Sequence, residues 1–131
     1  MVFKSKNTQL FRYFWTIAFF GWAAILLILS VLPSTDIITQ TNEASRFRLD
    51  YLEHFIVFMI FGLLFGFWRR DLLQSRNRET HFFLFFGGIY AASTELVQIV
   101  IESRSFNPAD LYFNLGGLLL GTAITRIYIF K

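Results

Sequence analysis

Four long apolar runs, at about Tyr13 to Leu32, Leu52 to Trp68, Phe82 to Ile101 and Leu111 to Phe130, constrain this chain more than any other feature. Crossing ~30 Å of hydrocarbon takes about 20 helical residues at 1.5 Å each, and every run comes close to that length. A chain of 131 residues that is 55% hydrophobic and 16% charged has more apolar surface than a small soluble core can bury. The runs are continuous and lack the alternation of half-buried soluble elements, so lipid is the expected solvent. The expected fold is an all-α membrane protein, a compact antiparallel bundle of four transmembrane helices forming one domain over residues 1–131. Short connections leave no soluble unit, so function must sit on the helices or at their ends. Most of the 18 phenylalanines are expected to face lipid, where Phe inserts favourably. Cysteine is absent, which excludes disulfides, thiolate catalysis and zinc–sulfur sites.

Basic residues orient such a bundle. Lys4, Lys6 and Arg12, then Arg69, Arg70, Arg76 and Arg78, then Arg126 and Lys131 share one side if the spans number four. The other side holds Arg46, Arg48 and Arg104 among Asp36, Glu43, Asp50, Glu53, Glu102 and Asp110. Both termini are therefore expected in the cytoplasm. Lys4 and Lys6 ahead of an apolar run also suit a secretory signal. That run, however, exceeds the ~7–15 residues of an ordinary signal and no small-x-small cleavage pattern follows it. Pro33 is expected to close the first helix, with Ser34 to Ser45 as an exposed loop and Pro108 with Asp110 as a turn into the fourth. The arginines between the second and third runs read as anchors beside anionic headgroups, and no nucleic-acid partner is expected.

Polar groups inside a membrane are costly and mark function or obligatory pairing. On the third run Gly88, Ala91, Ala92, Glu95, Gln98 and Glu102 recur at helical spacing; Asp110, Asn114, Gly117 and Gly121 do so on the fourth. The second begins with Asp50 and His54 four residues apart, followed by Gly62 and Gly66. Glycines at four-residue spacing let helices approach closely in lipid, so Gly62, Gly66, Gly88, Gly117 and Gly121 are expected to serve packing, within one chain or with a second copy. The topology gathers His54, Glu95, Gln98, Asp110 and Asn114 in the outer leaflet. Asp50 and Asp110, placed at expected helix starts, also suit helix caps, and Arg104 also suits a snorkelling anchor. Glu95 is harder to explain structurally, because a carboxylate at that depth is protonated, paired or bound to a cation.

These residues resemble the VanZ-like family. Asp50-Tyr-Leu-Glu-His54-Phe55 with Phe58 and Gly62 resembles its first motif. The second is matched by Glu95-Leu-Val-Gln98, then Arg104-Ser-Phe-Asn-Pro-Ala-Asp110, Asn114, Gly117 and Gly121. Together the two cover about the last two thirds of the chain. Tyr51 and Phe58 depart from the Lys and the aromatic hydroxyl that the family often carries there. The resemblance implies a four-span bacterial inner-membrane protein, and for the founding member an association with low-level teicoplanin resistance. It implies no particular reaction.

Two functions follow as expectations. In the first, Asp50, His54, Glu95, Gln98, Arg104, Asp110 and Asn114 line an outer-leaflet pocket for an amphiphile: a membrane lipid, an envelope lipid or a lipoglycopeptide. Arg104 would meet an anionic headgroup, with Gln98 and Asn114 orienting it. In the second, His54, Glu95 and Asp110 act as base and acid in a hydrolase or transferase on a lipid-linked substrate. Asp50, His54, Glu95 and Asp110 are also donors of a kind that holds a divalent cation. No HExxH, nucleophile elbow or phosphate-binding glycine loop accompanies them.

Overall fold

A computed structural model describes the backbone of residues 6–32, 43–70, 77–101 and 107–129, and side chains within them from 9–32, 51–70, 78–101 and 107–128. All regular structure among these residues is helical: α1 (Lys6–Val31), α2 (Glu43–Trp68), α3 (Asn77–Gln98) and α4 (Pro108–Ile129). Two stretches, Gln9–Val31 and Tyr51–Trp68, are long and apolar enough to cross a membrane by length and composition. The same measure does not select α3 or α4, because both carry polar residues that the bundle buries, among them Thr94, Glu95 and Gln98 on α3 and Asp110, Asn114, Thr122 and Thr125 on α4.

Helix boundaries differ from the hydropathy runs. Residues Glu43 to Ser45, expected as the end of a loop, already belong to α2, since Glu, Ala, Arg and Leu in Glu43–Leu49 favour helix. Asp50 therefore lies two turns inside α2 and is not its N-cap. At the far end of α3 the backbone tightens after Gln98: the amides of Ile99, Val100 and Ile101 bond to carbonyls three residues back, at 3.1–3.2 Å. Pro33 and residues 34–42 lie outside the described residues.

Consecutive helices are antiparallel, yet the most extensive pairing is between α2 and α4, which run parallel. α1 packs on α2 and α3, and α3 on α4, giving the cyclic order α1-α2-α4-α3. The alternating directions are those of the expected antiparallel bundle; which helices lie side by side is the new information. The cause is a pair of glycine faces. Gly117 lies against the Phe55 carbonyl and Gly121 against the Met59 carbonyl. In return, a Cβ on Gly62 would meet the Leu118 carbonyl oxygen at 2.7 Å, and one on Gly66 would collide with Thr125. Without a hydrophobic drive between helices in lipid, such close backbone packing is what holds them together. These four glycines are thus consumed within one chain. Gly88 is not part of the seam, since a Cβ there would touch Leu115 at an ordinary 3.6 Å; the tighter position is Gly87, 2.9 Å from Leu118.

The other face of α2 is aromatic. Phe19 of α1 stacks on Phe61 at 4.9 Å and on Trp68 at 4.8 Å, and Phe65 stacks on Phe83 of α3 at 3.5 Å. Phe19, Phe58, Phe61, Phe65 and Phe83 are buried and build the core, whereas Phe11, Phe14, Phe20, Phe82, Phe85, Phe86 and Phe113 are exposed, so among the described residues more Phe rings face outward than inward. Two directional bonds tie α1 to it, Trp22 Nε1 donating to the Val57 carbonyl at 3.0 Å and the Tyr90 hydroxyl donating to that of Ala23. The hydroxyls of Thr122 and Thr125 are satisfied by donating to the Leu118 and Gly121 carbonyls of their own helix, both at 2.7 Å.

Candidate functional site

The parallel seam of α2 and α4 fixes which polar side chains meet at its start. His54 precedes Phe55 on α2, and Asn114 lies one turn before Gly117 on α4, so closing the glycine contacts brings imidazole and amide together. His54 Nδ1 is 3.1 Å from Asn114 Oδ1. α3 enters from the opposite direction and supplies Glu95, whose Oε1 accepts from Asn114 Nδ2 at 2.7 Å and lies 3.5 Å from His54 Nδ1. Across the ring, Nε2 is 3.8 Å from Asp110 Oδ2.

Burial separates the members of this network. Asn114 is 0% and Glu95 1% exposed, whereas the His54 side chain retains 17% exposure and is the group within reach of a ligand. A carboxylate withdrawn from water loses solvation worth several kcal/mol, and the short amide bond and the nearby imidazole offset part of that loss. Gln98 is buried one turn beyond Glu95 on α3. Arg104 and Glu102 lie outside the described residues, as does the side chain of Asp50; its backbone places it one turn before His54 on α2.

Asp110 is not the cap of α4. That position belongs to Asn107, whose Oδ1 accepts from the Ala109 amide at 3.1 Å and whose Nδ2 donates to Asp110 Oδ1 at 3.1 Å. Asp110 is thereby held with Oδ2 turned toward His54, in the first helical turn, where the helix dipole favours an anion. Residue-by-residue reading passed over Asn107 as a determinant. Its signal was present, since Asn before Pro, with an acid three residues on, is the pattern of a helix start. Tyr51, noted in the sequence only as a departure from the family pattern, stacks its ring on Phe113 at 4.7 Å at the same end of the α2–α4 seam.

Among the described residues no three of His, Asp and Glu converge as a metal site. His54 instead turns its two nitrogens toward different carboxylates, Glu95 and Asp110, as a bridging imidazole does.

Two helices long and apolar enough to span a bilayer, and a glycine seam closed over a partly exposed imidazole backed by a buried amide and carboxylate, point to a helical membrane protein. The family model of VanZ/LLP1 matches residues 5–130, and the chain belongs to that family. No curated protein and no solved structure matches it.

Proposed function

We propose that the chain crosses the bacterial inner membrane four times as a single domain with both ends in the cytoplasm, and that the His54 network recognises an amphiphile from the outer leaflet. The distribution of charge supports this orientation. Arg12, Arg69, Arg70, Arg78 and Arg126 share the end of the bundle opposite the network. There Arg69 lies 3.7 Å from Glu79 and over Trp68, Arg70 over Phe11, and Arg78 over Phe82, an arrangement suited to a headgroup boundary. The observation that carries the ligand reading is that Asn114 and Glu95 are sealed behind a partly exposed His54. A membrane lipid, an envelope lipid or a lipoglycopeptide would place its polar end on His54 and its chains along the surrounding Phe surface.

A second reading, supported by the bracketing of one imidazole by two carboxylates, is a hydrolase or transferase on a lipid-linked envelope substrate. Native mass spectrometry with elemental analysis of gently solubilised protein separates the two. We expect a lipid to co-purify with the wild type and to be lost in both His54→Ala and Glu95→Ala, with membrane insertion kept, since removing a charge favours insertion. Absence of bound lipid in the wild type would sink the proposal. A stoichiometric divalent metal lost in both variants would favour the enzyme.

A further inference from the structure

One buried side chain at the outer end of the bundle stands outside the network. Ala91, Thr94, Glu95 and Gln98 form the buried face of α3, so Gln98 points into the bundle one turn outward from Glu95. α3 and α4 are antiparallel and Glu95 accepts from Asn114, which sets Gln98 level with the first turn of α4, where Asp110 stands. The polar groups around it are engaged: the Thr94 hydroxyl donates to the Ala91 carbonyl at 2.8 Å, Asn114 joins His54 to Glu95, and Asn107 donates to Asp110. Gln98 is only 5% exposed, yet its side-chain amide has no hydrogen-bond partner among the described residues. An amide buried in this way has lost its solvation with nothing in return, and a partner would recover that loss. A ligand can reach it, because Gln98 is the last α-helical residue of α3: the amides beyond it bond three residues back, and Val100 is 85% exposed.

Resting on the amphiphile reading above, we infer that Gln98 selects the headgroup, and that the group it takes is a pair of adjacent hydroxyls, the chemistry of a glycerol or sugar headgroup. The amide is uncharged and presents a donor and an acceptor side by side. Adjacent hydroxyls match both, one accepting from Nε2 and the other donating to Oε1. A phosphate supplies only acceptors and leaves the amide carbonyl unpaired. An ammonium supplies only donors and leaves the NH₂ unpaired, and a choline has no N–H or O–H to give. The two amides of the site then act differently: Asn114 is a positioning residue between His54 and Glu95, and Gln98 contacts the ligand.

The test uses the full chain in nanodiscs containing phosphatidylglycerol, monoglucosyl diacylglycerol, phosphatidylethanolamine and phosphatidylcholine with identical acyl chains. We expect both hydroxyl-bearing lipids to be retained over phosphatidylcholine by about tenfold in native mass spectrometry, the order of one or two net hydrogen bonds. Gln98→Met, close in shape and without the amide, should retain lipid while losing that preference. Labelling glutamine with ¹⁵N adds a signal that a purely structural role would not move. The Gln98 NH₂ resonance, told from those of Gln9, Gln40 and Gln74 by its absence in Gln98→Met, should shift with a hydroxyl-bearing lipid and not with phosphatidylcholine. Retention and a shift with only one of the two assign the hydroxyls to a phosphoglycerol or to a sugar and keep the subsite. Equal retention of phosphatidylcholine, retention led by phosphatidylethanolamine, or an NH₂ resonance indifferent to every lipid would overturn the subsite and leave the pocket standing. Those three readings come from the wild type and stand even if Gln98→Met fails to fold; a preference that survives in a folded Gln98→Met would overturn the subsite as well. No retained lipid of any class would instead overturn the pocket itself.

Discussion

The two faces of α2 hold the bundle by different means. Toward α4 the contact atoms are backbone: carbonyls of Phe55, Met59 and Leu118 lie where a side chain on Gly117, Gly121 or Gly62 would have to go. Toward α1 and α3 the contact atoms are rings, Phe61, Phe65 and Trp68 stacked on Phe19 and Phe83. Rings can rotate and repack around a lost neighbour; a backbone carbonyl in a helix cannot yield without breaking its own hydrogen bond. The polar network depends on the rigid face, because His54 and Asn114 meet only when the glycine seam is closed.

Five substitutions test that contrast. Gly121→Val places branches on the Met59 carbonyl, and we predict a loss of more than about 3 kcal/mol, read as failure to yield monodisperse protein or as unfolding at much lower denaturant. Asn114→Leu removes the amide between His54 and Glu95 and leaves a buried carboxylate short of a donor. A cost of about 3 kcal/mol in detergent unfolding and loss of the co-purifying lipid are the expected results. Phe83→Ala should cost only about 1–2 kcal/mol, below the range for soluble cores, because lipid is nearly as good an apolar environment as the core the ring leaves. Its lipid retention should equal that of the wild type; a parallel loss would show that the two faces are coupled. Gly88→Ala should fall within about 0.5 kcal/mol of the wild type, since its Cβ meets Leu115 at an ordinary distance, whereas Gly87→Ala should be measurably worse. Equal thermal stability of those two variants would remove the distinction drawn between them.

Helical spacing alone put Glu95 and Gln98 on one face of α3 and Asp110, Asn114, Gly117 and Gly121 on one face of α4. Hydropathy placed four helices near the four observed. The hydropathy runs missed the starts of α1, α2 and α3, because polar first turns such as Lys6 to Gln9, Glu43 to Arg46 and Asn77 to Thr80 are helical without being apolar. The capping role went to Asp110 on acidity, although Asn107 is the residue placed just before the first helical turn, where a side-chain oxygen reaches the free amides. The buried aromatic core was not legible, since a Phe reads alike whether it faces lipid or another ring.

From the sequence alone follow the helical class, the family resemblance and the residues eligible to form a polar site, because each depends on local spacing and on the cost of polar groups in hydrocarbon. Only the tertiary structure decided that α2 and α4 pair in parallel, that Gly87 and not Gly88 is the tight position on α3, and that Asn114 stands between His54 and Glu95. Those outcomes turn on which helix faces meet and at what register. That is a matter of backbone approach between segments some 60 residues apart in the chain, as His54 and Asn114 are. Periodicity within one helix carries no information about it.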